Sequence, residues 1–133
     1  MAANTDPIFA LTPKMAYAEI TGTTTDKTGG TTTNMVTLVT AGSNGTKISQ
    51  IGFKCEGTST AGLFMIFITN TSGTSPKLFD EIVISAVTSS TTVATNRAMN
   101  SYSDLELASG QLIQVGATTL SANIEAWAQQ GDF

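Results

Sequence analysis

The sequence predicts an all-β chain: a single antiparallel β-sandwich of about eight strands, jelly-roll-like, behind an extended N-terminal arm. Three observations lead there. Apolar residues alternate with period two between glycine-rich breaks, and no stretch holds them at helical spacing for three turns. Threonine, whose β-branched side chain prefers a pleated, half-buried surface, occurs 24 times. The breaks separate eight short runs, the pattern of a sandwich or jelly roll. A chain of 133 residues buries roughly two-thirds of its extended surface, enough for one core. One β domain over residues 16–133 is therefore expected, with residues 1–15 as the arm.

In the arm, Pro7 and Pro13 fix φ and bias Asp6 and Thr12 toward extended geometry. Ile8, Phe9 and Leu11 lie between them with no room for a strand pair, so they are candidate contact residues, on the domain itself or on a neighbour. The first strand is expected at Ala16–Thr21. Thr21 to Thr33, with Gly22, Gly29 and Gly30, then reads as a long, polar, mobile loop.

The second strand is expected at Asn34–Thr40, with Val36 and Leu38 on one face. Ser43-Asn44-Gly45 supplies a tight turn into Lys47–Glu56, which makes Asn34–Glu56 a hairpin. Within the third strand, Ile48 is out of phase with Ile51, Phe53 and Cys55. One extra residue near Ser49-Gln50, a β-bulge, brings all four inward. In that phase Cys55 reads as a small core residue rather than a reactive thiol.

The fourth run, Leu63–Asn70, is apolar on both faces from Leu63 to Ile68. A strand with that pattern is covered on both sides, by the core and by a second subunit, a long loop or the N-terminal segment. Leu63 and Met65 are therefore candidate interaction residues. The remaining strands are expected at Lys77–Ser85, Arg97–Leu107, Gln111–Ala117 and Ser121–Gln129. The expected core is Val36, Leu38, Ile51, Phe53, Phe67, Ile82, Ile84, Leu105, Ile113 and Ile124.

Composition narrows the chemistry. The chain has no histidine and a single cysteine, so the usual general base and the usual zinc ligands are missing. Serines and threonines abound, but Lys54 and Lys77 stand in no Ser-x-x-Lys arrangement and no phosphate-loop signature occurs. Asp104 with Glu106, and Asp80 with Glu81, read as solvated acids rather than calcium ligands. No catalytic residue, metal or cofactor is expected. Charged residues are only 12% and the net charge is −4, with six scattered basic residues, so nucleic acid is not an expected partner. The longest apolar run is too short to cross a bilayer, and the first residues lack the charged and apolar regions of a leader, so no membrane is expected either. Trp127, the one tryptophan, reads as a packing residue of core or interface ahead of a sugar platform.

Five segments carry a resemblance. They are Asp6-Pro7-Ile8-Phe9-Ala10-Leu11-Thr12-Pro13; Thr40-Ala41-Gly42-Ser43-Asn44-Gly45 followed by Ile51-Gly52-Phe53-Lys54; Ile66-Phe67-Ile68-Thr69-Asn70; Leu78-Phe79-Asp80-Glu81-Ile82; and Trp127 through Gly131-Asp132-Phe133. Together they resemble small virion proteins of tailed bacteriophages, of the capsid decoration or cement class. The departure is at Val87 to Asn100, which is Ser/Thr-rich where that class is expected to carry a proline-containing strand end. The resemblance implies an all-β protein, often a homotrimer, made in the bacterial cytoplasm and bound to the major capsid protein on the outside of the head. The alternative within the same setting is a tail or head-fibre tip protein that binds host-surface carbohydrate.

Overall fold

In the computed structural model, which describes residues 12–133, the chain forms eight strands and no helix among those residues. They are β1 (Thr12–Ile20), β2 (Val36–Thr40), β3 (Thr46–Cys55), β4 (Gly62–Ile68), β5 (Lys77–Ile84), β6 (Arg97–Leu107), β7 (Leu112–Ala117) and β8 (Ile124–Asp132). Two four-stranded sheets result, sheet A in the order β1-β8-β3-β6 and sheet B in the order β2-β7-β4-β5. Every pairing is antiparallel. Successive strands alternate between sheets at every step except β4 to β5, which is the jelly-roll connectivity.

The β2–β3 connection differs from the hairpin expected over Asn34–Glu56. β2 pairs with β7, while β3 pairs with β6 and β8, so the segment turns a corner from one sheet to the other. The turn itself is where the residues place it: Gly45 has φ +92°, and its N–H donates to the Gly42 carbonyl. A tight turn reverses the chain locally but does not choose the partner strand. The corner is tied down by long-range bonds instead. Gly42 N–H donates to Thr46 Oγ1, the Thr46 hydroxyl donates to Asp132 Oδ1 at 2.6 Å, and Phe133 N–H donates to the Gly45 carbonyl. Lys14 completes this end through a 2.6 Å ion pair with Asp132.

The bulge in β3 is present, with the register against both β6 and β8 shifting between Ile48 and Gln50, and Ile48, Ile51, Phe53 and Cys55 all point inward. β2 slips likewise between Thr37 and Val39, so Leu38 and Val39 are both buried. Of the expected core, Leu38, Ile51, Phe53, Ile82, Ile84, Ile113 and Ile124 fill the space between the sheets, while Val36 and Leu105 are half-buried against it. Cys55 lies in this core, and burial pushes its thiol pKa up, as for an inert cysteine. β1 begins at Thr12, so Thr12–Met15 are strand, antiparallel to Gln129–Asp132, where the sequence places them in the arm. Pro13 is accommodated because β1 is an edge strand.

The long loop expected over Thr21–Thr33 is present as irregular chain between β1 and β2, and residues 21–35 are fastened to the sandwich rather than standing free. They form a strap across the outer face of sheet B. Thr24 N–H donates to the Ala117 carbonyl, and the Thr24 methyl occupies the space a side chain at Gly116 would need. Lys27 pairs with Glu81 on β5 at 3.0 Å. Gly29, at φ +79°, lies so close to Pro76 that a Cβ there would sit 1.9 Å from its carbonyl oxygen. Asp26 organises the crest, accepting from the Thr28 hydroxyl and from the N–H groups of Thr28 and Thr31; these bonds, the Thr28 hydroxyl first, hold its pKa down to about 2. Polar composition therefore reflects the bonds that fasten the strap.

Candidate interaction surface

The strap accounts for the two-faced strand. Phe64 and Ile66 face the inter-sheet core, while Met65 and Phe67 point the other way, and all four are 0% exposed. Met65 is aligned with Gly116 on one side and Glu81 on the other, the two positions that Thr24 and Lys27 reach. Leu63, on the same face, is half-buried, and its N–H donates to Thr118 Oγ1. The second cover of β4 is thus a long loop of the same chain.

The outer face of sheet A has no such cover among the described residues. Its outward side chains fall into three rows fixed by the pairing register. Met15, Gln129, Gln50 and Ser101 form the first; Tyr17, Trp127, Gly52 and Met99 the second; Glu19, Glu125, Lys54 and Arg97 the third. Tyr17 is 75% exposed, Met15 56% and Met99 41%, so three large apolar side chains stand in solvent on one sheet face.

Gly52 shapes the middle of this face. A Cβ there would lie 2.6 Å from Trp127 Cζ2 and 2.7 Å from Met99 Cβ, so the glycine leaves room for the indole to lean across β3. The gap also lets Arg97 reach from β6 toward β8, where its guanidinium carbon sits 5.0 Å from the indole centroid. Trp127 is therefore a half-buried surface residue, neither in the core nor standing free. Tyr17 lies directly opposite it on β1. The motif Ile51-Gly52-Phe53 carried the signal for this arrangement, since a glycine between two inward residues marks a close approach on the outer face.

The other titratable cluster is structural. Asp80 Oδ2 on β5 accepts from Tyr102 Oη at 2.7 Å and Asn100 Nδ2 at 2.8 Å, both on β6, which clasps the edges of the two sheets. Burial pushes the Asp80 carboxyl up, but these bonds and the N–H of Glu81 outweigh it and hold the pKa below the ordinary value. Burial first, then the Asp80 bond, drives the Tyr102 phenol pKa up. Asp80 is thus a clasp rather than the solvated acid the sequence suggests. Asp104 and Glu106 lie exposed on β6.

No His, Cys, Asp or Glu group of three or more is placed to hold a metal ion among the described residues. Of the candidate contact residues, Ile8, Phe9 and Leu11 lie outside the described residues; Leu63 and Met65 are under or beside the strap; Trp127 alone is on the open face. No protein-family model, curated protein or solved structure matches the chain.

Proposed function

We propose that this chain is a structural virion protein that binds the outer surface of a bacteriophage capsid and stabilises the head shell. The observation that carries contact as its work is the outer face of sheet A, uncovered among the described residues and carrying exposed Met15, Tyr17 and Met99, beside a sandwich whose other face is closed by its own strap. The sequence resemblance supplies the capsid as the destination and the major capsid protein as the partner. Cementing needs only many weak contacts repeated over a lattice, which multivalency turns into firm binding. A chain with only 12% charged residues keeps such contacts insensitive to salt. The arm residues Ile8, Phe9 and Leu11 are the proposed capsid contact. The test is to mix purified protein with undecorated heads and count copies per particle. Saturation at hundreds of copies, with heads surviving higher temperature, is the expected result; no binding, or a handful of copies, would rule the head shell out.

A second reading has one observation in its favour. Tyr17 and Trp127 lie side by side on an open sheet face, with the amides of Gln50 and Gln129 in the next row, an arrangement that suits a pyranose ring. A tail or head-fibre tip that binds host-surface carbohydrate would then show saturable signals on a glycan array, lost in Trp127→Ala.

A further inference from the structure

We propose that the outer face of sheet A docks a second copy of this chain, about a two-fold axis parallel to the strands and lying between β8 and β3. The proposal rests on that face being a contact surface; it gives the face to a second copy, leaves the capsid contact to the arm, and is tested without the capsid.

The charged row carries the argument. Across the sheet it reads Glu19, Glu125, Lys54, Arg97: acid, acid, base, base. Within one chain the two ends of the row set like charges directly opposite each other, Glu19 with Glu125 and Lys54 with Arg97, while only the middle neighbours, Glu125 and Lys54, are of opposite sign. None of the four makes an ion pair with another described residue. The neighbouring Glu56 feels the crowding: burial first, then the charges of Glu19 and Glu125, push its carboxyl pKa up. Rotation about an axis parallel to the strands reverses the order of the strands while keeping each row at its own height. Glu125 then meets Lys54 of the second copy, and Glu19 comes opposite the strand position of its Arg97, whose guanidinium swings off the Trp127 indole to reach it. An axis in the sheet plane but across the strands would set the charged row against the amide row and leave all four charges unmatched.

The other rows obey the same rotation. Trp127 leans over Gly52 beside the axis, so the two indoles meet there, and Tyr17 falls on Met99 of the second copy. Gln129 falls on Gln50, amide to amide, and Met15 on Ser101. Face-to-face sheets with strand directions within about 30° are an ordinary packing. Four strands about 4.8 Å apart, each roughly 30 Å long, offer roughly 600 Å² per copy. Two such faces make about 1,200 Å², the low end of specific interfaces, so the dimer should be reversible.

Sedimentation equilibrium of the full chain at micromolar concentrations tests this, with circular dichroism confirming that each variant is folded. The expected result is a monomer–dimer equilibrium weakened by salt. Lys54→Glu alone and Glu125→Lys alone should each raise the dissociation constant at least about tenfold, since each sets like charges across the axis in two places. The double variant, Lys54→Glu with Glu125→Lys, should restore the dimer, because both reversed residues then meet reversed partners. A strict monomer, a trimer, single reversals without effect, or a folded double variant that stays monomeric would each overturn the proposal. Because no capsid is present, failure to bind heads in a separate assay bears only on the cement reading.

Discussion

At the scale of single residues, the clearest stability claims concern Phe53 and Asp80. Phe53 is fully buried, its ring 5.1 Å from that of Phe64 on the facing sheet. Phe53→Ala should cost about 3–5 kcal/mol by transfer and cavity terms together, read from chemical denaturation; a loss below about 1 kcal/mol would contradict this packing. Asp80 holds two sheet edges together, and Asp80→Asn should lose about 1–3 kcal/mol at neutral pH by replacing a charged acceptor of two bonds. The pH dependence follows from the direction of its shift. A carboxyl whose folded pKa is depressed contributes stability above its unfolded pKa, near 3.9, and loses it as the pH falls through the lower folded value. The gap between wild type and Asp80→Asn should therefore be full at pH 7 and shrink below about pH 4. A gap that stays constant down to pH 2 would show that the Asp80 charge plays no part.

At the scale of elements, the strap is the part whose removal the molecule should feel most. Gly29→Ala would force a left-handed φ on alanine and drive its methyl into the Pro76 carbonyl, so the strap must lift locally. The expected loss is about 1–3 kcal/mol, with increased binding of a hydrophobic dye as Met65 and Phe67 open to water. Unchanged dye binding would mean the strap is fastened elsewhere. What the sequence made legible divides along the same line. The bulge at Ser49-Gln50 could be read because it is a local phase conflict among Ile48, Ile51 and Phe53. The partner of β2 could not, because Ser43-Asn44-Gly45 supports a hairpin and a sheet-to-sheet corner equally, and the choice is made by Thr46 and Asp132, 86 residues apart. The docking of the strap is not legible for a related reason: its threonines and glycines do not name the carbonyls they meet. The face of sheet A was half legible, since Trp127 and Tyr17 could be seen but not their alignment across β1 and β8.

At the scale of the whole molecule, the described residues 12–133 form both sheets of the jelly roll. Its first strand is already paired from Thr12 to Asp132 onward, and the Lys14–Asp132–Thr46 knot that ties β1, β8 and the β2–β3 corner lies entirely within the described chain. The inter-sheet core residues named above are likewise among the described residues. The arm nevertheless carries Ile8, Phe9 and Leu11, and burying such side chains on a partner is worth roughly 1.5–3 kcal/mol each before ordering costs. These two facts separate folding from binding. A chain beginning at Thr12 should keep its β-sheet circular dichroism spectrum and unfold within a few degrees of the full chain, and its monomer–dimer equilibrium should be unchanged because the face of sheet A is intact. Its affinity for undecorated heads should fall by at least about tenfold, the equivalent of about 1.4 kcal/mol. Unchanged head binding would take the capsid contact away from the arm and leave it to the loops and strands of the sandwich; a collapse in thermal stability would show that the arm is part of the fold.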